Sequence, residues 1–322
     1  MTDLLNVENL TVRFEVKRGG AFGKKAHLYA VDDVSFTVKA GETLAIVGES
    51  GSGNTTAALA VARLLAAYAG RVELDGDDIL PKEGEELRQV RQKVQFIFQD
   101  PYSSLNPRKR AEAIVQEPLD SLSDKTAAKK AEIVKGLFEA VGLRPEQMRL
   151  FPHQFSGGQR QRIGIARALA TQPELIICDE PVSALDVAVQ AQILNLLRKL
   201  QKDFGLTYLF ISHDLGVVQH MSDSIAVMYM GKVVEHASRM DLFGNPRHPY
   251  TQALLSAVPT VDRAKRAEQK RILIPGDPPD PVNLPEGCRF ANRCPIAQDK
   301  CRADEPALVD DGKGHRVACH FS

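Results

Sequence analysis

The sequence predicts an α/β fold in which a largely parallel sheet carries helices on both faces. Three observations support this prediction. Short apolar runs alternate with longer helix-forming segments, a glycine-rich turn joins one such run to a helix, and 43% of the 322 residues are hydrophobic. Strands that alternate with helices build parallel sheets. The apolar fraction suffices for a sizeable core, and the length suits one large domain with an appendage or two modest domains.

The predicted elements follow one another over the first 230 residues. Strands are expected at residues 9–16, 31–38, 44–47, 70–76, 94–98, 175–178, 206–211 and 226–230. Helices are expected at residues 55–67, 109–142 with a break near Pro118, 156–170 and 187–200. After Pro259 the composition changes, and five prolines between residues 275 and 285 interrupt regular structure. A separate, smaller C-terminal segment is therefore expected.

The glycine-rich turn at residues 48–56 is typical of a loop that binds phosphate. Such a loop needs glycines because it turns tightly and points its backbone N–H groups toward the anion. The helix behind it would add its positive N-terminal end. One position departs from the usual pattern, since Asn54 replaces the lysine that reaches the β- and γ-phosphates. A glycine-rich turn without a ligand is the alternative.

Two further groups of residues suit phosphate chemistry. Asp179 and Glu180 end an apolar strand, where the first would hold Mg²⁺ and the second would orient or deprotonate an attacking water. Two acidic residues at the surface are the alternative. Ser156, Gly157 and Gly158 open a helix and form a second anion-binding terminus. Because two such termini are redundant in one chain, the second suggests a head-to-tail dimer with nucleotide between subunits.

In this order the motifs resemble those of the nucleotide-binding subunits of ATP-binding-cassette (ABC) transporters, over about the first 258 residues. The resemblance implies an ABC-type domain, in which a RecA-like parallel-sheet core carries an antiparallel β-subdomain and a helical subdomain at about residues 100–165. A small Pro-rich, Cys-containing extension would occupy residues 259–322.

The resemblance also implies site residues, each at the position that matches a family motif. Nucleotide would be bound by Phe14 (with Tyr29 as the alternative), by Gly48, Ser50, Gly51, Ser52, Gly53, Asn54, Thr55 and Thr56 of the Walker A loop, by Gln99 of the Q-loop, by Asp179 of the Walker B strand, by Ser156, Gly157, Gly158 and Gln159 of the signature motif, and by Asp186 of the D-loop. Catalysis would depend on Glu180, His213 and Gln99, and Mg²⁺ would be held by Thr55, Gln99 and Asp179.

Two stretches narrow the resemblance to the dipeptide and oligopeptide importer ATPases, namely residues 98–108 and 245–255. Members of that subfamily carry a proline-rich extension with four cysteines, which here are Cys288, Cys294, Cys301 and Cys319. Four clustered thiols in a reducing compartment indicate a metal site, and their spacing leaves Zn²⁺ and a [4Fe–4S] cluster both open. Four free cysteines in a flexible tail are the alternative. The resemblance favours the [4Fe–4S] cluster, whose ligation we expect to order the segment.

The resemblance implies an ATPase subunit that energises import of di- or oligopeptides across the bacterial inner membrane. Its expected partners are a second ABC ATPase subunit in a heterodimer, two transmembrane permease subunits and, indirectly, a solute-binding protein. A net charge of zero gives no nucleic-acid-binding footprint. No apolar run reaches the roughly 18–20 residues of a membrane span, and the start lacks signal-peptide features. We therefore expect a chain at the cytoplasmic face of the membrane, held there by the permeases.

Asn54 alters the expected mechanism. Asparagine is neutral and shorter than lysine, so we expect weaker ATP binding and reduced turnover at the site built on this loop. Three alternatives stay open. The chain could serve an importer of another small solute such as nickel or glutathione, bind nucleotide as a regulatory subunit without hydrolysing it, or belong to a non-transport ABC protein in DNA repair or translation.

Overall fold

A computed structural model describes residues 2–18, 24–258 and 272–322 of the chain. The first sheet is antiparallel and has the strand order β2-β1-β4-β5, with β1 at Asp3–Arg18, β2 at Lys24–Lys39, β4 at Ala69–Leu74 and β5 at Asp77–Asp78. Strands β1 and β2 are longer than the predicted 9–16 and 31–38. They pair with each other over most of their length, so the ladder extends beyond the apolar residues that the prediction relied on.

The second sheet has eight strands in the order β11-β12-β10-β9-β3-β8-β7-β6. Their bounds are β3 Thr43–Val47, β6 Val94–Ile97, β7 Leu175–Asp179, β8 Thr207–Ile211, β9 Ser224–Tyr229, β10 Lys232–Ser238, β11 Val309–Asp310 and β12 Arg316–Val317. The five strands from β9 to β6 are parallel, and the other three are antiparallel. Every residue of β3, β7 and β8 is buried, as expected for parallel strands covered on both faces.

Ten helices accompany the sheets in the described ranges: α1 Asn54–Val61, α2 Gly84–Lys93, α3 Ala111–Leu122, α4 Ala127–Ala140, α5 Gly157–Leu169, α6 Val187–Phe204, α7 Leu215–Met221, α8 Arg239–Gly244, α9 Pro249–Ser256 and α10 Asp299–Ala303. The predicted break near Pro118 is wrong, because α3 continues through this proline to Leu122. Ile114 and Leu119 on either side of it are fully buried, so packing against the core holds the helix together. The break comes later, where Thr126 caps α4.

The C-terminal residues pack onto the second sheet. Phe290 is 1% exposed and lies among Tyr229, Tyr250 and His248, with ring centroids 5.2, 5.4 and 5.7 Å away. Strand β12 pairs with β10 and so extends the sheet by backbone hydrogen bonds. In the ranges that the structure describes, no helix combines the length and apolarity that a membrane span requires.

Candidate functional site

Residues 48–56 run from the end of β3 into α1, and all of them except the buried Ser52 line a cleft of about 620 Å³. Two of the glycines are required by close approach of the backbone. A Cβ on Gly48 would lie 2.4 Å from a carbonyl oxygen of β9, and one on Gly53 would lie 2.0 Å from a carbonyl oxygen of β2. Gly53 also has a φ of +99°, which favours glycine. The turn therefore presents its backbone to the cleft, as a phosphate-binding loop requires.

The predicted Mg²⁺ ligands Thr55 and Asp179 lie together. The Thr55 hydroxyl donates a hydrogen bond of 3.0 Å to Oδ1 of Asp179, which is only 6% exposed. Burial raises the pKa of Asp179, the bond from Thr55 opposes that rise, and the neighbouring Glu180 adds to it. A hydroxyl and a carboxylate are oxygen ligands of the kind that Mg²⁺ prefers. Gln99, the third predicted ligand, donates a hydrogen bond to Glu180.

Glu180 connects the three predicted catalytic side chains. Its Oε2 accepts a hydrogen bond of 2.7 Å from Nε2 of Gln99, and its Oε1 lies 2.7 Å from Nδ1 of His213. All three residues line the same cleft as the glycine-rich loop. Glu180 has a φ of +44°, in the left-handed region that non-glycine residues rarely adopt. Strain of this kind concentrates at functional sites, where the surrounding structure holds it in place.

Asn54 turns its side chain back toward its own backbone. Its Oδ1 accepts a hydrogen bond of 2.7 Å from the backbone N–H of Thr55. The residue lines the cleft at the first position of α1, where the pattern expects a lysine. The side chain therefore adds no charge to the cleft and also occupies one of the N–H groups at the start of this helix.

Ser156 and Gln159 form a capping box at the start of α5. The Ser156 hydroxyl accepts a bond of 3.3 Å from the Gln159 N–H, and the Gln159 side chain accepts one of 3.0 Å from the Ser156 N–H. A Cβ on Gly158 would lie 2.4 Å from Cγ1 of Val189, so glycine is needed for the close contact between α5 and α6. Among the described residues that line the cleft, none belongs to this motif.

Two other predicted nucleotide residues also lie away from the cleft lining. Asp186 caps α6 by accepting a bond of 3.0 Å from the N–H of Val189. Phe14 lies on β1 with 40% of its surface exposed, and the alternative residue Tyr29 lies opposite Arg13 on β2. The structure thus brings together the Walker A loop with Gln99, Asp179, Glu180 and His213, and leaves the remaining predicted residues elsewhere.

Comparison with known proteins identifies the family. The family described as ABC transporter matches residues 31–183, and the family described as the C-terminal region of oligopeptide/dipeptide transporters matches residues 234–301. The chain is 48% identical over 319 residues to the oligopeptide transport ATP-binding protein AppF of Bacillus subtilis, covering 99% of this chain and 97% of the relative. The chain belongs to the ATP-binding proteins of ABC transporters. Membership implies ATP hydrolysis, and ATP with Mg²⁺ fits the family.

Further relatives and solved structures agree with this assignment. The chain is 49% identical over 317 residues to a probable peptide ABC transporter ATP-binding protein, y4tS of Sinorhizobium fredii, covering 98% of this chain and 89% of the relative. The ATP-binding cassette MJ0796, solved as a dimer with ADP and Pi, superposes with a TM-score of 0.64 at 29% identity, over 73% of this chain and 98% of that one. The ABC fold and the peptide-importer family are therefore established for this ATPase.

The prediction of a metal centre at Cys288, Cys294, Cys301 and Cys319 is wrong. The four cysteines line one small cavity, but the described part of the ATPase contains no group of three or more His, Cys, Asp or Glu side chains that could hold a metal ion. Burial raises the pKa of Cys288 to about 11 and also raises those of Cys294 and Cys319, which favours neutral thiols. Apolar packing of Phe290 orders the segment instead.

The structure also brings to the Walker A loop two residues that sequence reasoning did not place there. Glu49, the second residue of the loop, contacts Tyr250 and Arg293, which follow it by 201 and 244 residues. The Tyr250 ring is fully buried. Nothing in the local sequence marks these contacts, because they arise only when α9 and the C-terminal segment meet the end of β3.

Proposed function

We propose that this chain is the ATP-binding and ATP-hydrolysing subunit of a bacterial importer of di- or oligopeptides. The observation that carries the proposal is the single cleft in which the Walker A loop meets Gln99, Glu180 and His213. The named function of AppF, at 48% identity over nearly the whole of both chains, supports the peptide substrate. Other small solutes, such as glutathione or nickel, are the alternative cargoes, and no residue of this chain would contact the cargo directly.

The roles we propose follow from the contacts in the cleft. The loop N–H groups bind phosphate, Thr55 and Asp179 hold Mg²⁺, and Glu180 orients the water that attacks the γ-phosphate. Mg²⁺ would neutralise charge on the phosphates when it is bound. Gln99 and His213 each contact one carboxylate oxygen of Glu180, so they fix the direction in which it points.

We further propose that this chain works in a dimer of cassettes, and that the partner is a related ATPase. Ser156 and Gln159 open α5 at the surface, away from the cleft of their own chain, which leaves the motif available to a neighbour's nucleotide. Phe14 would contact adenine, and Asp186 would lie at the seam. Two transmembrane permease subunits would hold the pair at the cytoplasmic face of the membrane, with a solute-binding protein on the other side.

The segment after Gln99 is our proposed contact with a permease. Tyr102 in this segment is 65% exposed, and the guanidinium of Arg160 lies over its ring, 3.6 Å from the centroid. Exposed aromatic side chains beside arginine are typical of contact surfaces.

We also propose that the chain divides into an ATPase domain at residues 1–258, with a helical subdomain at about 100–165, and an extension at 259–322.

Co-purification tests the proposal. The chain, tagged and purified from detergent-solubilised membranes of its native host, should be recovered with two polytopic membrane subunits and one further ATPase. The complex should hydrolyse ATP faster when a peptide-loaded binding protein is added. Recovery of the chain without any membrane subunit would contradict the importer, and acceleration by nickel or glutathione but not by peptides would contradict the peptide substrate.

Asn54 favours one second candidate, a subunit that binds nucleotide but hydrolyses it poorly. The neutral side chain and its bond to the Thr55 N–H both weaken the phosphate site of this chain. The second site of the dimer, formed by the signature motif of this chain and the loop of its partner, would then carry most of the turnover. Lysine at this position separates the two candidates, because it should raise turnover strongly only if the native site hydrolyses ATP poorly.

A further inference from the structure

Glu49 is held at three points, which distinguishes it from its neighbours in the Walker A loop. Its N–H donates a bond of 2.9 Å to the Tyr250 hydroxyl, and its carbonyl accepts one of 3.0 Å from the N–H of Ser52. Its carboxylate accepts a bond of 2.9 Å from Nη1 of Arg293. Two of these three partners lie outside the loop, one in α9 and one in the C-terminal segment.

Arg293 is itself firmly placed. Its side chain is 9% exposed, it ends the 3₁₀ turn Ala291–Arg293, and its guanidinium also reaches the Tyr229 hydroxyl at 3.3 Å. Phe290, one turn earlier, is buried against Tyr229 and Tyr250. Arg289 donates a bond of 2.5 Å to a carbonyl oxygen at the β9–β10 turn, so the segment is anchored on both sides of the phenylalanine.

These contacts matter because the glycines of the loop constrain its backbone only weakly. A loop with glycines at positions 48, 51 and 53 has access to many backbone conformations. Its phosphate affinity depends on N–H groups that already point inward before the ligand arrives. Contacts from outside the loop can supply that order, and an ion pair with one deeply buried partner is less screened than a surface pair.

We propose that the C-terminal segment preorganises the Walker A loop through Glu49, with Arg293 as the positioning residue. The inference deepens the proposed function, since it concerns how the same nucleotide site is held. The extension would then take part in nucleotide binding. Apolar packing attaches the extension to the ATPase domain, and the Arg293–Glu49 ion pair connects it to the Walker A loop. Arg293 does not line the nucleotide cleft, so it would act through Glu49, and we refer to the Arg293–Glu49 ion pair as the clamp.

Hydrogen–deuterium exchange on the nucleotide-free chain tests the ordering directly. Arg293→Gln should speed exchange of the amides at residues 49–53 by roughly tenfold, whereas amides of β3 and β8 should be unchanged. Arg316→Gln is the matched control, because its partner Asp310 lies in the same C-terminal segment and both side chains are about 40% exposed. Faster exchange confined to residues 288–294 would overturn the proposal, since it would show a purely structural role.

Nucleotide affinity gives the second readout, measured in the native chain and in the Asn54→Lys background. Arg293→Gln and Glu49→Gln should each weaken ATP binding by roughly tenfold. The double variant should be no weaker than either single variant, because both remove the same contact. Arg293→Lys should restore part of the loss, and Arg316→Gln should bind like the parent.

The outcomes separate this inference from the function on which it rests. If neither background binds ATP, the proposed function fails, while the exchange experiment still tests the clamp. If the parent binds ATP and both variants bind it equally well with unchanged exchange, the clamp is refuted. If Arg293→Gln does not fold, Glu49→Gln carries the same test from the partly exposed side of the pair, and unchanged exchange at residues 50–53 there would refute the clamp.

Discussion

Replacing Asn54 with lysine is the most direct test of the nucleotide site. The side chain now occupies the Thr55 N–H through a bond of 2.7 Å and brings no charge to the cleft. Lysine would release that N–H and extend an ammonium group toward the β- and γ-phosphates. We expect Asn54→Lys to tighten ATP binding and to raise turnover at this site.

The added charge and the released N–H group should change ATP affinity by different amounts. A charge-assisted hydrogen bond contributes about 1.5–3 kcal/mol, which corresponds to roughly 10- to 150-fold in Kd. Release of a neutral N–H contributes about 0.5–1.5 kcal/mol, or less than roughly tenfold. Turnover should rise more steeply, by roughly 10²–10³, because a preorganised donor at the transferred phosphate acts mainly in the transition state.

Asn54→Ala is the matched control, since it frees the Thr55 N–H without adding charge. Kd for ATP is measured by calorimetry, and turnover is measured on the assembled complex with the partner's site inactivated. The expected order of affinity is Lys above Ala, with Ala equal to or slightly above Asn. Unchanged affinity and turnover in Asn54→Lys would refute this account of the site, as would a native site that is already fully active.

Three further predictions follow from individual contacts. In the Asn54→Lys background, Glu180→Gln should lower single-turnover hydrolysis by at least roughly 10²-fold and leave ATP affinity within about twofold, since the amide keeps the shape but loses the base; equal losses of both would contradict its role. Burial lowers the pKa of His248 to about 4, so the unfolded chain binds this proton more tightly, and stability is full above about pH 6.5 and lost as the pH falls toward 4. Urea titrations should show that His248→Asn, which can keep the helix cap, loses about 3 kcal/mol less over this pH range than the native chain, while buried His236, whose pKa is also lowered to about 4, contributes equally to both; equal losses would contradict the role of His248. Glu235 is fully buried and accepts hydrogen bonds from two backbone N–H groups and from His315. Glu235→Ala should therefore lower the free energy of unfolding by roughly 3–5 kcal/mol in the same assay, whereas Lys129→Ala, which breaks only an exposed ion pair, should lower it by less than about 1 kcal/mol. A loss below about 1 kcal/mol for both variants would contradict this difference.

The sequence was a good guide wherever the chemistry is local. The glycine pattern at residues 48–56, the buried strand ending at Asp179 and the capping residues of α5 each depend on neighbours within a few positions. The alternation of strands and helices likewise predicted the parallel part of the second sheet. Prediction failed at Pro118, where burial of α3 outweighs the local preference of proline to end a helix.

Prediction failed more fully in the C-terminal segment. Four clustered cysteines favoured a metal centre, whereas the structure surrounds them with apolar side chains that favour neutral thiols. Metal ligation was expected to order this segment. Phe290 supplies that order by inserting into an aromatic cluster built by β9 and α9, which no local pattern announces.

The sequence by itself determined that this chain has a phosphate loop, that its lysine is missing, and that the motifs follow the order of an ABC ATPase. Each of these motifs consists of residues that are close together in the sequence, so its spacing can be read without the fold. Only the tertiary structure decided that Gln99, Glu180 and His213 form one group, that Asn54 folds back onto Thr55, and that the C-terminal segment reaches Glu49. These contacts join residues up to 244 positions apart or depend on a rotamer, and packing sets both.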